Sequence, residues 1–346
     1  MIDARTIRAR APVRVDFAGG WTDVAAFAAR EGGVVVNASV SLYVDVELGL
    51  GRRRTIFLRA EDLEQHLTLT AASAITYDGT LDLHKAALNM MPVPGGVELI
   101  SRTHVPRGSG LGASGALDVA LLAALAHARE EPCDPVELAE MGFLLETAEL
   151  DLLGGRQDQY AAALGGCHEF HFSAGGVDVR PVALTDEQAD ELGRALVVAF
   201  TGESHFSSRT HERVWTAFAE GQPDVTAALR AMRDVAVDAA GALRQGDWRR
   251  LATCVDANWQ EQRRLDATIA TAQTDRIESA MREAGAWGVK ATGAGAGGCL
   301  LAVVPPDAAA GVRAAAEASG AVVLPCAVER QGVRVTEEVD AVPPRA

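Results

Sequence analysis

Along the chain the apolar positions switch repeatedly between two periods. Residues 8–17 and 33–50 alternate and are rich in valine, which predicts two β-strands. Between them residues 18–23 read as a loop that leads into a short helix near 25–31. Residues 53–70 predict a strand pair turning near Glu61 and Asp62, and a short helix follows over 81–91, closed by the Pro/Gly cluster 92–96. A strand over 97–105 leads into a glycine-rich loop. The apolar run after it contains no proline, so a helix is expected over 115–130. Asp134 and Pro135 then read as the N-cap and first-turn residues of a helix reaching about residue 150. Residues 152–159 are a loop, and another helix begins at 159–164.

The polar stretch 185–193 marks a composition shift and hence a domain boundary. Beyond it come a strand over 195–202, long helices filling 208–285 with an interruption at Gly221–Pro223, a strand–turn–strand over 287–305, a helix over 307–318 and strands near 320–326 and 332–336. Both halves are α+β, and the predicted division is 1–190 and 191–346.

Composition narrows the class. A chain of 346 residues, 48% hydrophobic and 23% charged, can bury a sizeable core in two domains. The longest apolar stretch, after the glycine loop, is broken by Asp118, and the first residues lack the apolar core of a signal peptide. A cytoplasmic protein with no membrane partner is expected. Five scattered cysteines without a C-x-x-C pair argue against zinc and against a disulfide framework. A formal charge of −15 argues against nucleic acid as a partner. Any polyanionic ligand must therefore be met by local arginines, a metal ion or helix N-termini, because the lysines are only Lys85 and Lys290.

The glycine loop supplies the candidate chemistry. Pro106, Arg107, Gly108, Ser109, Gly110, Leu111, Gly112, Ala113, Ser114 and Gly115 run straight into the predicted helix. Backbone amides at a helix N-terminus, approached without a Cβ in the way, form a site for anionic oxygens, with phosphate the foremost candidate. The loop lacks the Gly-Lys-Ser/Thr ending of a Walker motif. It also lacks the acidic residue that a dinucleotide fingerprint carries about twenty positions on.

Two further segments belong with this loop: Ala11–Asp23, which contains Arg14 and Gly19-Gly20-Trp21-Thr22-Asp23, and Lys290–Leu300, which contains Gly293, Ala294, Gly295, Gly297 and Gly298. In order and spacing the three resemble the signature motifs of the GHMP kinases, over most of the chain. Residues 154–166 are similar to the segment that bears the catalytic aspartate in the sugar-kinase branch. Galactokinases carry Gly-Glu-His-Thr-Asp in the first motif. The Gly-Gly form here resembles the branch of heptose 7-phosphate 1-kinases and fucokinases, and Thr201–His205 points the same way. Enzymes acting on octose phosphates are not separable from these.

The resemblance implies a two-domain α+β fold, with an N-terminal domain like ribosomal protein S5 domain 2, a ferredoxin-like C-terminal domain and the active site between them. It implies an ATP- and Mg²⁺-dependent kinase acting on the anomeric hydroxyl of a sugar or sugar phosphate. Residues 106–115 would cradle the β- and γ-phosphates, Asp158 would be catalytic with Arg14 as its partner, and Ser114 would be a metal ligand. Glu146 is the first choice for a second ligand. Glu149, a turn further on and expected on the same helix face, is the alternative. Asp23, Trp21, Gly20, Thr22, Gly155, Arg156, Gln157, Gly293, Ala294, Gly295 and His205 are the substrate-binding candidates, with Trp21 a candidate to stack on a sugar face. His205, Ser207, Ser208, Arg209 and His211 follow a strand end and are candidates to line the sugar or its distal phosphate, with a surface helix cap the alternative for Ser207 or Ser208. Arg156, Arg209 and Arg213 would meet a distal phosphate if the substrate carries one. A homodimer, a kinase for another sugar or a non-sugar alcohol, and a catalytically silent sugar- and ATP-binding sensor remain alternatives at this stage.

Overall fold

The computed structural model describes residues 5–51, 55–70, 75–204 and 208–339. Two antiparallel strands form its spine, β1 (Arg5–Ala18) and β2 (Gly33–Gly51), linked by helix α1 (Ala25–Glu31). At the start of β1 the predicted alternation holds. Ile7 and Ala9 face the core, whereas Arg8 and Arg10 face outward and pair with Glu47 and Asp45 on β2. From Ala11 to Ala18 every residue is buried, because helices from both halves of the chain pack against the strand.

One edge of β2 is shared by two partners. Its C-terminal half pairs with β5 (Gly96–Thr103), which continues to β3 (Thr55–Ala60) and β4 (Gln65–Thr70). Its N-terminal half pairs with β6 (Cys167–Ser173), which forms a hairpin with β7 (Gly176–Pro181). The sequence reading passes over this hairpin. Its polar residues His168, Glu169 and His171 hide an inward set made of Cys167, Phe170 and Phe172. Helices α3 (Ala113–Ala128) and α5 (Gln157–Leu164) pack on this sheet, and α2 (Asp82–Met90) and α4 (Pro135–Leu144) pack on α3 in turn. Helix α3 is apolar on every side and sits in the core.

The expected boundary stretch 185–193 falls on a helix and its cap. Thr185 and Gln188 form a capping box that opens α6 (Asp186–Ala195), and Ala189, Leu192 and Ala195 on its inner face are buried. The helix feeds directly into β8 (Leu196–Ser204). Helices α7 (Ser208–Ala219), α8 (Pro223–Gln245), α9 (Trp248–Leu265) and α10 (Ala272–Glu283) follow, and then β9 (Gly288–Ala291), β10 (Gly297–Val303), α11 (Ala309–Ala318) and β11 (Val322–Leu324). The second sheet has the order β11-β8-β10-β9, all antiparallel. Numbered in chain order this is 4-1-3-2, the ferredoxin-like arrangement.

The halves do not separate at residue 190. The last strand, β12 (Arg334–Val339), returns to pair antiparallel with β1. Ala236, Ala239 and Leu243 of α8 and Leu251 and Val255 of α9 belong to the core around the first sheet. Conversely Trp21, Val24 and Phe27, beside β1, belong to the second core with Trp215, Phe218 and Trp259. Among the described residues no helix is long and apolar enough to cross a membrane.

A buried ion pair joins the sheets. Lys290 on β9 reaches Asp16 on β1 at 2.7 Å and also donates to the Asp16 carbonyl at 3.0 Å, and both residues are fully buried. Burial pulls the Lys290 amine below its ordinary value, against the opposing pull of Asp16. Removing one partner strands the other charge in a dry interior. Lys290→Met is therefore expected to lose about 3–5 kcal/mol in urea denaturation. The double variant Asp16→Asn/Lys290→Met should lose distinctly less than the sum of the two single variants, and a loss equal to that sum would show that the pair is not coupled.

Candidate active site

The glycine loop is folded as a nest before α3. Gly110 and Gly112 adopt φ of 72° and 77°, the left-handed region that a side chain rarely tolerates, and Gly112 is the N-cap of α3. The amides of Ala113, Ser114 and Gly115, in the first turn, have no intrahelical acceptor and carry the positive end of the helix dipole. The third glycine segment braces this loop from behind. Cys299 N–H donates to the Ser109 carbonyl at 2.8 Å, and Thr292 Oγ1 donates to the same carbonyl at 3.2 Å. A Cβ on Gly293 would stand 2.9 Å from the Gly110 carbonyl, and one on Gly298 would stand 2.9 Å from that of Ser109.

Arg14 and Asp158 meet at the mouth of this nest. A shift in register after Pro12 leaves Arg14 directed inward from β1, with its side chain only 4% exposed. Its Nε and Nη2 lie 2.9 and 2.6 Å from Asp158 Oδ1, and its Nη1 donates to the Gly110 carbonyl at 2.6 Å. Its backbone N–H donates to the Leu111 carbonyl at 2.9 Å. Asp158 stands in the first turn of α5 with its second oxygen toward the cleft, and its Cβ would lie 2.7 Å from a Cβ on Gly115. The expected pairing is present, and both residues line a cleft of about 820 Å³.

Beside them lies Asp23, held by a 3.1 Å hydrogen bond from Gln157 N–H and packed against Gly155, where a Cβ would overlap its carboxylate. Burial raises the Asp23 carboxyl to about 6. The neighbouring Asp158 adds to this, while the Gln157 amide and Arg14 oppose it. Trp21 lines the same wall, but one face of its ring is covered by His211, with centroids 4.3 Å apart and planes at 20°.

Pro106, Gly108, Ser109, Gly110, Gly112, Ala113, Ser114, Gln157, Gly155, Gly293, Ala294 and Glu146 also line the cleft. Other candidates do not. Leu111 is fully buried and Gly115 packs on Asp158. Gly20 backs onto Asp16, and Thr22 ties the turn by donating to the Gly19 carbonyl at 2.7 Å. Gly295 abuts Ile269. Arg156 points the other way, over the Phe143 ring at 4.1 Å and toward Glu140. Arg213 is committed to Asp266 and Thr268, and Arg209 is exposed away from the cleft. No convergence of Arg156, Arg209 and Arg213 on a distal phosphate exists among the described residues. His205 and Ser207 lie outside them.

The two candidate acids part company. The helix from Pro135 ends at Leu144 and continues as a π-helical turn over Leu145–Glu149. The wider turn rotates Glu149 away from Glu146, so the expected common face is lost. Glu149 accepts from the Tyr77 hydroxyl. Glu146 faces the cleft, interacts with Ser114 and accepts from Gln159 Nε2 at 3.0 Å. Burial raises its carboxyl, as it does that of the fully buried Asp118, with which it interacts. Oxygen donors left short of positive charge fit a hard divalent cation, and Ser114 with Glu146 would be its ligands.

Sequence reasoning missed the apolar part of the lining, Leu63, Leu117, Leu152 and Leu153, together with Asp62 and Thr103. Leu152 and Leu153 are 48% and 65% exposed, the one available signal being two leucines in a glycine-flanked loop.

Comparisons with known proteins agree with this geometry. A family model described as the GHMP kinases N terminal domain matches residues 77–166, and one described as GHMP kinases C terminal matches residues 239–322. A D-glycero-alpha-D-manno-heptose 7-phosphate kinase from Campylobacter jejuni is 29% identical over 308 residues, covering 87% of this chain and 90% of that one. A galactokinase from Mycobacterium tuberculosis H37Rv is 31% identical over 247 residues, covering 63% of this chain and 67% of that one. The crystal structure of a D-glycero-D-manno-heptose 1-phosphate kinase from Bacteroides thetaiotaomicron superposes with a TM-score of 0.80 at 26% identity, covering 95% and 98% of the two chains.

Asp23 supplies a test independent of turnover. A carboxyl raised in the folded state contributes stability that is full below its unfolded value near 4 and lost as pH rises through about 6. Asp23→Asn keeps an acceptor for Gln157 N–H and removes the charge. The variant should be more stable than the parent by up to about 2–3 kcal/mol in urea denaturation at pH 7.5, and by little at pH 4. A variant no more stable at pH 7.5 would contradict the raised value.

Proposed function

This chain belongs to the GHMP kinase family, and from that premise we propose that it transfers the γ-phosphoryl group of ATP to the anomeric hydroxyl of a sugar or sugar phosphate, of the heptose 7-phosphate or octose 8-phosphate type. The observation that carries this reading is the Arg14–Asp158 pair fixed to the glycine nest through the Gly110 carbonyl.

In this reading the nucleoside lies against the apolar lining formed by Leu63, Leu117, Leu152 and Leu153. The amides of the 108–115 loop hold its phosphates. Ser114 and Glu146 would hold Mg²⁺, whose charge offsets that of the β- and γ-phosphates. Asp23 accepts hydrogen bonds from sugar hydroxyls. The acceptor oxygen forms the new bond to the γ-phosphorus as the bond to the β–γ bridging oxygen breaks, and ADP leaves with that electron pair. The hydroxyl proton passes to the Asp158 oxygen that Arg14 does not engage, and Arg14 offsets charge on the transferring group. Phosphoryl transfer through a loose transition state depends mainly on positioning and charge neutralisation, and a preformed guanidinium–carboxylate pair supplies both.

Incubation with MgATP and a panel of hexoses, heptose 7-phosphates and octose 8-phosphates tests this reading by release of ADP. Release is expected with at least one acceptor, and none across the panel would refute it. Asp158→Asn should lower kcat about 10³-fold with KM for ATP little changed, whereas a silent sensor has no turnover to lose. Glu146→Gln should raise the Mg²⁺ concentration needed for half-maximal rate, and Glu149→Gln should leave it unchanged. The reverse order would move the metal site to Glu149.

A further inference from the structure

One wall of the cleft contains ring nitrogens that phosphoryl transfer leaves unused. Trp21 stands at φ 78°, a backbone conformation that a bulky residue keeps only where its surroundings hold it, and one that recurs at ligand sites. The Trp21 carbonyl accepts from Val24 N–H at 3.3 Å, and His211 of α7 is stacked on the indole at 4.3 Å. Trp215 lies behind at 6.0 Å and is edge-on to Phe218 at 5.9 Å. Trp21 and Trp215 are 4% and 7% exposed. Within this cluster Trp21 Nε1, His211 Nδ1 and Trp215 Nε1 are buried with no hydrogen-bond partner among the described residues. Buried polar atoms are nearly always paired, and of these three rings those of Trp21 and His211 line the cleft, where a ligand can complete the bonding.

The chemistry of the wall indicates the kind of group that completes it. Burial pushes the His211 imidazole down to about 4, leaving it uncharged at neutral pH, with one ring nitrogen to donate and the other to accept. The carboxylates of Asp23 and Glu212 line the cleft next to Trp21 and His211 in the chain. A neutral donor–acceptor beside two carboxylates suits a hydroxyl and disfavours a phosphate.

We propose that His211 is a specificity-determining residue whose imidazole hydrogen-bonds a hydroxyl of the acceptor from the cleft wall, with Trp21 as the rigid wall that fixes its position. The inference rests on the kinase reading and deepens it. The part of the acceptor that meets α7 is its uncharged polyol portion, and a distal phosphate, where one is present, points elsewhere.

Steady-state kinetics with the acceptor of highest kcat/KM from the panel test this. His211→Phe keeps a ring for the stack and removes both nitrogens. Its KM for the acceptor should rise about tenfold, the ratio set by one neutral hydrogen bond, with kcat and KM for ATP within twofold of the parent. His211→Gln should recover part of the loss and provides the readout if the phenylalanine variant does not fold. Singly deoxygenated forms of the same acceptor make the test specific. One of them should raise KM about tenfold for the parent, less for His211→Gln and not at all for His211→Phe. An active parent whose acceptor KM is unchanged by both substitutions, or whose full deoxy penalty persists in both variants, overturns this inference and leaves the kinase reading intact. A parent that turns over no acceptor overturns both.

Discussion

A buried guanidinium organises the site. Arg14 is withdrawn from water on a strand in the middle of the core, and a cation there is tolerated only where its donors are met. Asp158 and the Gly110 carbonyl meet them, so the demand of one charge locks β1, the glycine loop and the start of α5 into a single arrangement. The pair is held entirely by contacts within the chain. Charge stabilisation that needs no rearrangement during reaction is the form that is worth most in a partly desolvated cleft.

The glycines make this arrangement possible by close approach. The loop at 108–112 and the turn at 293–298 lie about 180 residues apart in sequence, yet their backbones touch. Side chains at Gly293 or Gly298 would strike the carbonyls of Gly110 and Ser109 directly, so the third segment acts as a backstop to the nest. This also explains how a chain with a formal charge of −15 can serve a polyanionic nucleotide. The required positive potential comes from oriented amides and one buried arginine, independent of the net charge.

Local pattern made much of this legible. Alternation gives β1 and β2, the proline-free apolar run gives α3, and the three glycine segments with Asp158 give the site. What stayed hidden depends on partners far away in sequence or on side-chain direction. β12 finds its place only through β1, more than 320 residues earlier, and a short strand near the C-terminus carries no mark of that partner. The Lys290–Asp16 pair, invisible for the same reason, joins β9 to β1. Arg156 was expected to face substrate, but the Phe143 ring offers its guanidinium a nearer surface on the opposite side. The π-turn at 145–149 has no sequence signature, and it decides which of two glutamates faces Ser114.

The central claim is that this geometry delivers the phosphoryl group to the anomeric oxygen. Phosphorus–proton correlation NMR on the product of the fastest acceptor tests it most directly. The account predicts a new phosphate ester coupled to the anomeric proton. A phosphate coupled to any other sugar proton, or inorganic phosphate alone, would contradict it.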